Sequence, residues 1–198
     1  MAEIPLFPLR TVLFPGGLLP LRIFEARYVD MVGRCMRAGG EFGVVLIVNG
    51  GEAGGTSTVA TVGSTARIID FSTLPDGLLG LMCRGVRRFR ILERRTQADG
   101  LHLAEVEWLE VPPVTALDAR HQPLVRVLQR VLPELGELGV HLEPDYGNAG
   151  WVADRLTELL PLEREAQQRL LEIDDPLERL RLLAPLIEAG ADEGAASP

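Results

Sequence analysis

The side chains with chemical potential in this sequence are 20 arginines, 3 histidines, 2 cysteines and a few serines, and no lysine accompanies them. The missing lysine excludes two chemistries at once. A P-loop needs a flexible ammonium against the β- and γ-phosphates of a nucleotide, so no GxxxxGK[ST] run exists here. A serine–lysine peptidase needs that same side chain to take the serine proton. Ser64, Asp70 and Ser72 are the remaining hydrolase candidates. No histidine lies near them in the sequence and no elbow motif surrounds either serine. Cys35 and Cys83 form no CxxC pair, and His102, His121 and His141 stand at no metal-ligand spacing from them. Two buried reduced thiols are expected, with no metal and no cofactor.

Arg84, Arg87, Arg88, Arg90, Arg94 and Arg95 surround Phe89, an arrangement that suggests a nucleic-acid surface. On a strand these arginines divide between two faces, and Glu93, Glu105 and Glu107 are placed to pair with them. The charge balance decides. Residues 1–110 hold 12 Arg and 12 Asp/Glu, while residues 111–198 hold 8 Arg and 16 Asp/Glu and carry the whole net charge of −8. Nucleic-acid affinity grows with phosphates neutralised, so neither half is built to drive it. The Gly-rich loop Asn49 to Thr58 lacks GxGxxG spacing and a following helix, so it reads as a surface loop rather than an anion cradle.

The elements that must position these groups change character at Pro112-Pro113. Before that pair the pattern is β. Phe42 to Val48 is an apolar run suited to a strand covered on both faces. Thr58 to Phe71 is β-branched and apolar, with Gly63 as the expected bulge or bend. Asp76-Gly77 and Asp99-Gly100 predict hairpins with type I′ turns, and a strand pair is expected around Leu78 to Arg95. Leu101 to Val111 alternates as a half-buried strand should. One early helix is predicted over Phe24 to Ala38, ended by Gly39-Gly40 in the left-handed cap. Its Tyr28, Met31, Val32 and Cys35 form the apolar face.

After Pro112-Pro113 the period becomes 3.6, and four short amphipathic helices are predicted. Their stripes are Leu124–Leu128–Leu132–Leu135, Val152–Leu156–Leu159, Ala166–Leu170 and Leu177–Leu180–Leu183–Ile187. Asn148 and Asp175 are the expected N-caps, the latter with Pro176 and Glu178 behind it. The expected organisation is a β-barrel over residues 1–112, a helical bundle over 113–190 and a structureless tail over 191–198. No basic n-region opens the chain, and the apolar run Thr11 to Leu21 is too short to span a bilayer. A cytoplasmic location without membrane contact is the expectation.

The most unusual stretch is IPLFPLRTVLFPGGLLPLRIFEARY, Ile4 to Tyr28. Pro5, Pro8, Pro15 and Pro20 forbid a long helix, because each removes a backbone donor and fixes φ. Short buried extended pieces joined by tight bends must feed the early helix. This block resembles the N-terminal substrate-recognition domain of Lon-type ATP-dependent proteases, a PUA-like β fold. The matching residues are Pro5-Leu6-Phe7-Pro8-Leu9, Val12-Leu13-Phe14-Pro15-Gly16, Leu19-Pro20-Leu21 and Ile23-Phe24-Glu25 with Arg27-Tyr28. Weaker matches are Val62-Gly63, Ala66-Arg67-Ile68, Asp76-Gly77, Gly85 and Arg88-Phe89. The likeness extends from about Ile4 to Leu186.

The resemblance implies an α+β protein, a PUA-like pseudobarrel followed by a helical bundle, that grips polypeptide without an ATPase or peptidase of its own. Unfolded or degron-bearing proteins are the implied partners, with a separate protease or chaperone beside them. The lysine-free, Ala/Gly/Leu/Arg-rich composition suits a high-GC bacterial genome. The residues singled out for binding are Phe14, Leu19, Phe24, Glu25, Arg27, Tyr28 and Met31, with Leu18, Met36 and Met82 as further members of an adaptable apolar groove. Against that stands an architectural role. Glu25 would favour the helix dipole, Phe24 and Tyr28 would share an i,i+4 face, and Arg27 would bridge to a carboxylate. Two other functions stay open at this point: a small-ligand or enzymatic barrel, and an RNA-binding PUA-like protein.

Overall fold

A computed structural model describes residues 2–51 and 58–195. It divides into two compact units, Met1–Val111 and Pro112–Pro198.

The first unit is a curved sheet. β1 (Ala2–Leu9) runs antiparallel to β7 (His102–Trp108) over Ala2 to Leu6 and parallel to β3 (Phe42–Asn49) over Leu6 to Leu9. β3 pairs with β5 (Val62–Thr73), β5 with β6 (Leu79–Thr96) and β6 with β7, all antiparallel. These pairings form a ring, β1–β7–β6–β5–β3–β1, the expected pseudobarrel. β2 (Leu18–Ile23) lies on β6, and the short β4 (Thr58–Val59) on β3. Pro5 and Pro8 are tolerated because each sits where β1 has a partner on one side only. The missing N–H can then face the other side.

Successive strand residues feed opposite faces, so the sheet is covered on both. Ile4, Leu6, Val45, Phe89, Ala104 and Val106 form one core cluster. Phe7, Ile23, Phe42, Val44, Leu81, Cys83 and Leu103 form the other, together with Tyr28, Met31, Val32 and Cys35 of helix α1 (Ala26–Ala38). Both thiols are free and buried. Burial first, then the neighbouring Cys35, pushes the Cys83 thiol up to about 12. It is therefore a packing group rather than a nucleophile at neutral pH.

Four details differ from the sequence expectation. The helix begins at Ala26, not Phe24, because Glu25 is still extended (ψ 132°) and caps it. Phe24 therefore lies outside the helix and shares no helical face with Tyr28. Its C-terminal end is as expected, with Gly39 at φ 60° and its N–H on the Cys35 carbonyl. Leu78 to Arg95 is not a strand pair but a single 18-residue strand, β6, which bends through register shifts rather than turning back.

The two Asp-Gly hairpins are not type I′. Only glycines have positive φ among the described residues, so Asp76 and Asp99 cannot occupy the left-handed position that turn requires. Instead Gly77 (φ 82°) donates to the Leu74 carbonyl and Gly100 (φ 84°) to the Gln97 carbonyl, a type I turn closed by a left-handed glycine. Each aspartate accepts the N–H two residues on, from Leu78 and Leu101. Finally, the register of β5 shifts at Ser64/Ala66 and Ile68/Asp70, not at Gly63. Gly63 is needed for close approach instead, because a Cβ there would collide with the Val44 carbonyl oxygen.

Gly85 has the same role in β6, where a Cβ would strike the Phe14 carbonyl oxygen. Its N–H and carbonyl hold the Gly16-Gly17 bend, Gly16 N to Gly85 O and Gly85 N to Gly17 O, both at 2.8 Å.

The second unit is helical. α2 (Gln122–Val131), a short α3 (Glu137–Val140), α4 (Ala149–Leu159), α5 (Arg164–Glu172) and α6 (Pro176–Ala195) bury Leu124, Leu128, Val152, Leu156, Leu171, Leu180 and Leu183. The four predicted stripes are present, and α3 is an addition with no stripe to announce it. Asn148 caps α4 by accepting from Gly150 and Trp151, and Asp175 accepts from Leu177 at the start of α6. A buried Arg179–Asp154 ion pair joins α6 to α4. α6 continues to Ala195, five residues into the stretch expected to be structureless, consistent with the helix preference of its alanines. Residues 196–198 lie outside the described residues.

Two outcomes follow for the first unit. Gly85→Ala should lower stability by about 2–3 kcal/mol in urea titration, because backbone rather than a yielding side chain stands in the way. Gly39→Ala, strained in φ but unobstructed, should cost only ~1 kcal/mol. The second outcome concerns His102, which pairs across the β6–β7 ladder with Thr96 (Oγ1 to Nδ1, 3.0 Å). Burial first, then Arg94 and Arg27, hold its pKa below the usual 6.5. The unfolded chain then takes up this proton more readily than the native one. His102 therefore withdraws stability as pH falls below about 6.5, until the native value is passed. Urea midpoints measured from pH 7.5 to 5.5 should fall more for wild type than for His102→Gln.

Candidate functional site

Phe24 is the most exposed aromatic of the first unit, at 67%. It stands at a cleft of about 210 Å³ whose floor is Phe7, Leu9, Ile23 and Tyr28. The Phe7 and Tyr28 rings pack at 4.0 Å between centroids, so the floor is a preformed aromatic surface. Six consecutive residues, Pro20 to Glu25, also line the cleft. Neighbouring side chains on a strand point to opposite faces, so what consecutive residues share is the backbone edge. The cleft therefore runs along the edge of β2.

Glu25 and Arg27 frame one end. Arg27 Nη2 contacts Glu25 Oε2 at 2.6 Å, Nη1 donates to the Gly100 carbonyl at 2.8 Å, and the guanidinium lies 4.7 Å from the Tyr28 ring centroid. Arg27 thus ties the start of α1 to the β6–β7 turn. At the other end Arg22 pairs with Asp76 of the β5–β6 turn. The charges of Glu25 and Arg22 at the cleft are thus compensated by Arg27 and Asp76, which leaves an apolar slot beside them.

Of the seven residues singled out from the sequence, Phe24, Glu25 and Tyr28 line this cleft, and Arg27 braces it. Phe14 and Met31 are fully buried at 0% and offer no surface, and Leu19 of β2 is partly buried against the core. The expected apolar groove of Leu18, Leu19, Met31, Met36 and Met82 is not assembled at this cleft. Sequence reasoning passed over Phe7, Leu9 and Pro20. A signal was present in Leu18 to Ile23, where Pro20 and Arg22 are exposed and alternate with apolar residues.

The arginine cluster is largely engaged within the protein. Arg87 lies 3.5 Å over the Trp108 ring and near Glu41, which also binds Arg67 and Thr65. Arg95 makes a two-pronged pair with Glu3, and Arg88 is buried. The carboxylates in these pairs are Glu41 and Glu3, not the expected Glu93, Glu105 and Glu107. Ser64 is buried and Ser72 exposed at the far end of the same strand, while Asp70 accepts its neighbour's N–H from Phe71. No hydrolytic site is formed by the three. Within the loop from Asn49, residues 52–57 lie outside the described residues.

A larger groove of about 610 Å³ lies within the helical unit, between the start of α2 and α6, over Leu124, Leu180, Ala184 and Pro185. Its charged rim is internally paired, Arg120 with Asp118 and Arg181 with Glu178. No helix among the described residues is long and apolar enough to cross a membrane.

Comparison with known proteins fits this architecture. The chain matches the ATP-dependent protease La (LON) substrate-binding domain over residues 3–189. It is 28% identical over 192 residues to Lon protease 2 of Myxococcus xanthus and 29% identical over 205 residues to the Lon protease of Escherichia coli K12. Those alignments take in 93% and 96% of this chain but only 23% and 25% of the relatives, so it spans about a quarter of their length. Among solved structures, the Lon N-terminal domain protein from Xanthomonas campestris is 40% identical with a TM-score of 0.78, covering 93% of this chain and 98% of that one. The N-terminal domain of the Mycobacterium avium complex Lon protease shares the fold at 22% identity and a TM-score of 0.67. A pseudobarrel fed by a proline-punctuated entry, a helical second unit and a match over nearly the whole sequence together place this chain in the LON substrate-binding domain family.

Proposed function

We propose that this chain binds polypeptide noncovalently, holding apolar segments of unfolded or degron-bearing proteins without transforming them. It would then act as an adaptor to a separate protease or as a chaperone-like holder. The observation that carries the reading is the exposed Phe24 beside a preformed aromatic slot, in a chain of the LON substrate-binding family. An isolated exposed apolar residue is ordinary. One set over an apolar cleft with compensated charges at both ends is suited to removing a partner's apolar surface from water. Both thiols are buried, and Ser64, Asp70 and Ser72 assemble no hydrolytic site. Of the six clustered arginines, Arg87 lies over Trp108 near Glu41, Arg95 pairs with Glu3 and Arg88 is buried, which weighs against the RNA-binding alternative.

The test is fluorescence anisotropy with fluorescein-labelled, reduced and carboxymethylated α-lactalbumin, an unfolded probe. Wild type should bind it saturably. Phe24→Ala should weaken binding about tenfold, the scale of one aromatic side chain leaving an apolar contact. Because Phe24 is exposed, its thermal unfolding should be nearly unchanged. Tyr28→Ala would be a poor substitute, since Tyr28 is 3% exposed and belongs to the core. No saturable binding by wild type would refute the reading.

A further inference from the structure

We infer that the bound segment docks as an added β-strand on the outer edge of β2, with one apolar side chain in the cleft. This rests on the polypeptide-binding reading and specifies its chemistry. β2 pairs with β6, from Leu18↔Arg84 to Ile23↔Leu79, and among the described residues no strand pairs with its other edge. The direction of its main-chain groups follows from two observations. Gly17 gives its carbonyl to the Gly85 N–H, so position 17 faces β6, and the period of two puts 19, 21 and 23 on the same side. Pro20 has no N–H for a ladder and belongs where its nitrogen points away from the partner. Both place Leu18, Pro20 and Arg22 outward. The side chains of Pro20 and Arg22, which share one face of β2, are exposed as well.

The outer edge therefore offers three carbonyls, of Leu18, Pro20 and Arg22, and two N–H groups, of Leu18 and Arg22. Such a row at a two-residue repeat is matched by an extended chain and not by a helix, whose main-chain groups are already bonded to one another. It reads backbone rather than sequence, which suits a surface that must accept unrelated clients. The cleft runs along this same edge, because Pro20 to Glu25 line it consecutively. A strand laid on the edge sends alternate side chains toward the slot of Phe7, Leu9 and Tyr28, beneath Phe24. The missing donor at Pro20 leaves the centre of the edge able only to accept, so a client must supply free N–H groups there.

The probe is a fluorescein-labelled heptapeptide, Ser-Val-Ser-Phe-Ser-Val-Ser, with two analogues carrying backbone N-methyl groups at either the odd or the even positions. The parent should bind wild type. One analogue should lose at least tenfold in affinity while the other stays within threefold, since only one set of N–H groups faces β2. On the protein side, Arg22→Pro removes an outward N–H at a position equivalent to Pro20, and Arg22→Ala removes only the side chain. Arg22→Pro should weaken binding about tenfold more than Arg22→Ala, with unchanged circular dichroism. Equal effects of the two analogues, or of the two variants, would overturn edge docking. So would a parent peptide that fails to bind while the unfolded α-lactalbumin probe binds. If neither probe binds, the polypeptide-binding reading itself fails.

Discussion

The close contact between Gly85 and the Phe14–Gly17 bend governs the first unit. There a strand and a tight bend approach so nearly that no Cβ fits between them. The two hydrogen bonds across that contact launch β2 along β6 in a fixed register. β2 then delivers Ile23 to the core, Phe24 to solvent and Glu25 to the start of α1. The cleft is a consequence of that path. Its floor comes from β1 and α1, its wall from β2, and its polar ends from turns that Arg22 and Arg27 hold down. A proline-rich entry is the natural material for such a path, because proline forbids the helix that so apolar a stretch would otherwise favour.

β6 shows how one long strand organises the sheet. Its first part carries β2 on one edge and β5 on the other, and its last part carries β7. β2 and β7 follow one another along the same edge of β6, and among the described residues no strand pairs with the outer edge of β2. Edge strands are normally blunted by proline, charge or shortness. β2 is six residues long, with an exposed proline and an exposed arginine. The same devices that discourage uncontrolled sheet growth leave a short, defined docking edge.

Much of this was legible from residue order. Phe42 to Val48 read as a doubly covered strand because both faces are apolar, and Gly39 as a helix end because a glycine pair able to take the left-handed cap follows the helical run. The capping residues Asn148 and Asp175 were legible for the same reason, since a cap is local chemistry. What escaped depended on distant partners. Phe14, Met31 and Tyr28 are apolar in any reading, and only packing separates the buried from the exposed. Phe24 looked helical until the extended Glu25 displaced the helix start by two residues. Gly63 resembled a bulge or bend residue, whereas its role, like that of Gly85, is to admit a backbone from elsewhere in the sequence. The type of the Asp-Gly turns rested on the φ of the aspartates, which a dipeptide does not fix.

The account turns on whether the outer edge of β2 receives another main chain. Amide hydrogen exchange followed by NMR reads this directly. In the free protein the N–H groups of Leu18 and Arg22 should exchange quickly, while those of Leu19, Leu21 and Ile23, bonded to β6, exchange slowly. Addition of the unfolded α-lactalbumin probe should slow Leu18 and Arg22 selectively. Unchanged exchange at those two amides, with the probe demonstrably bound, would contradict the account.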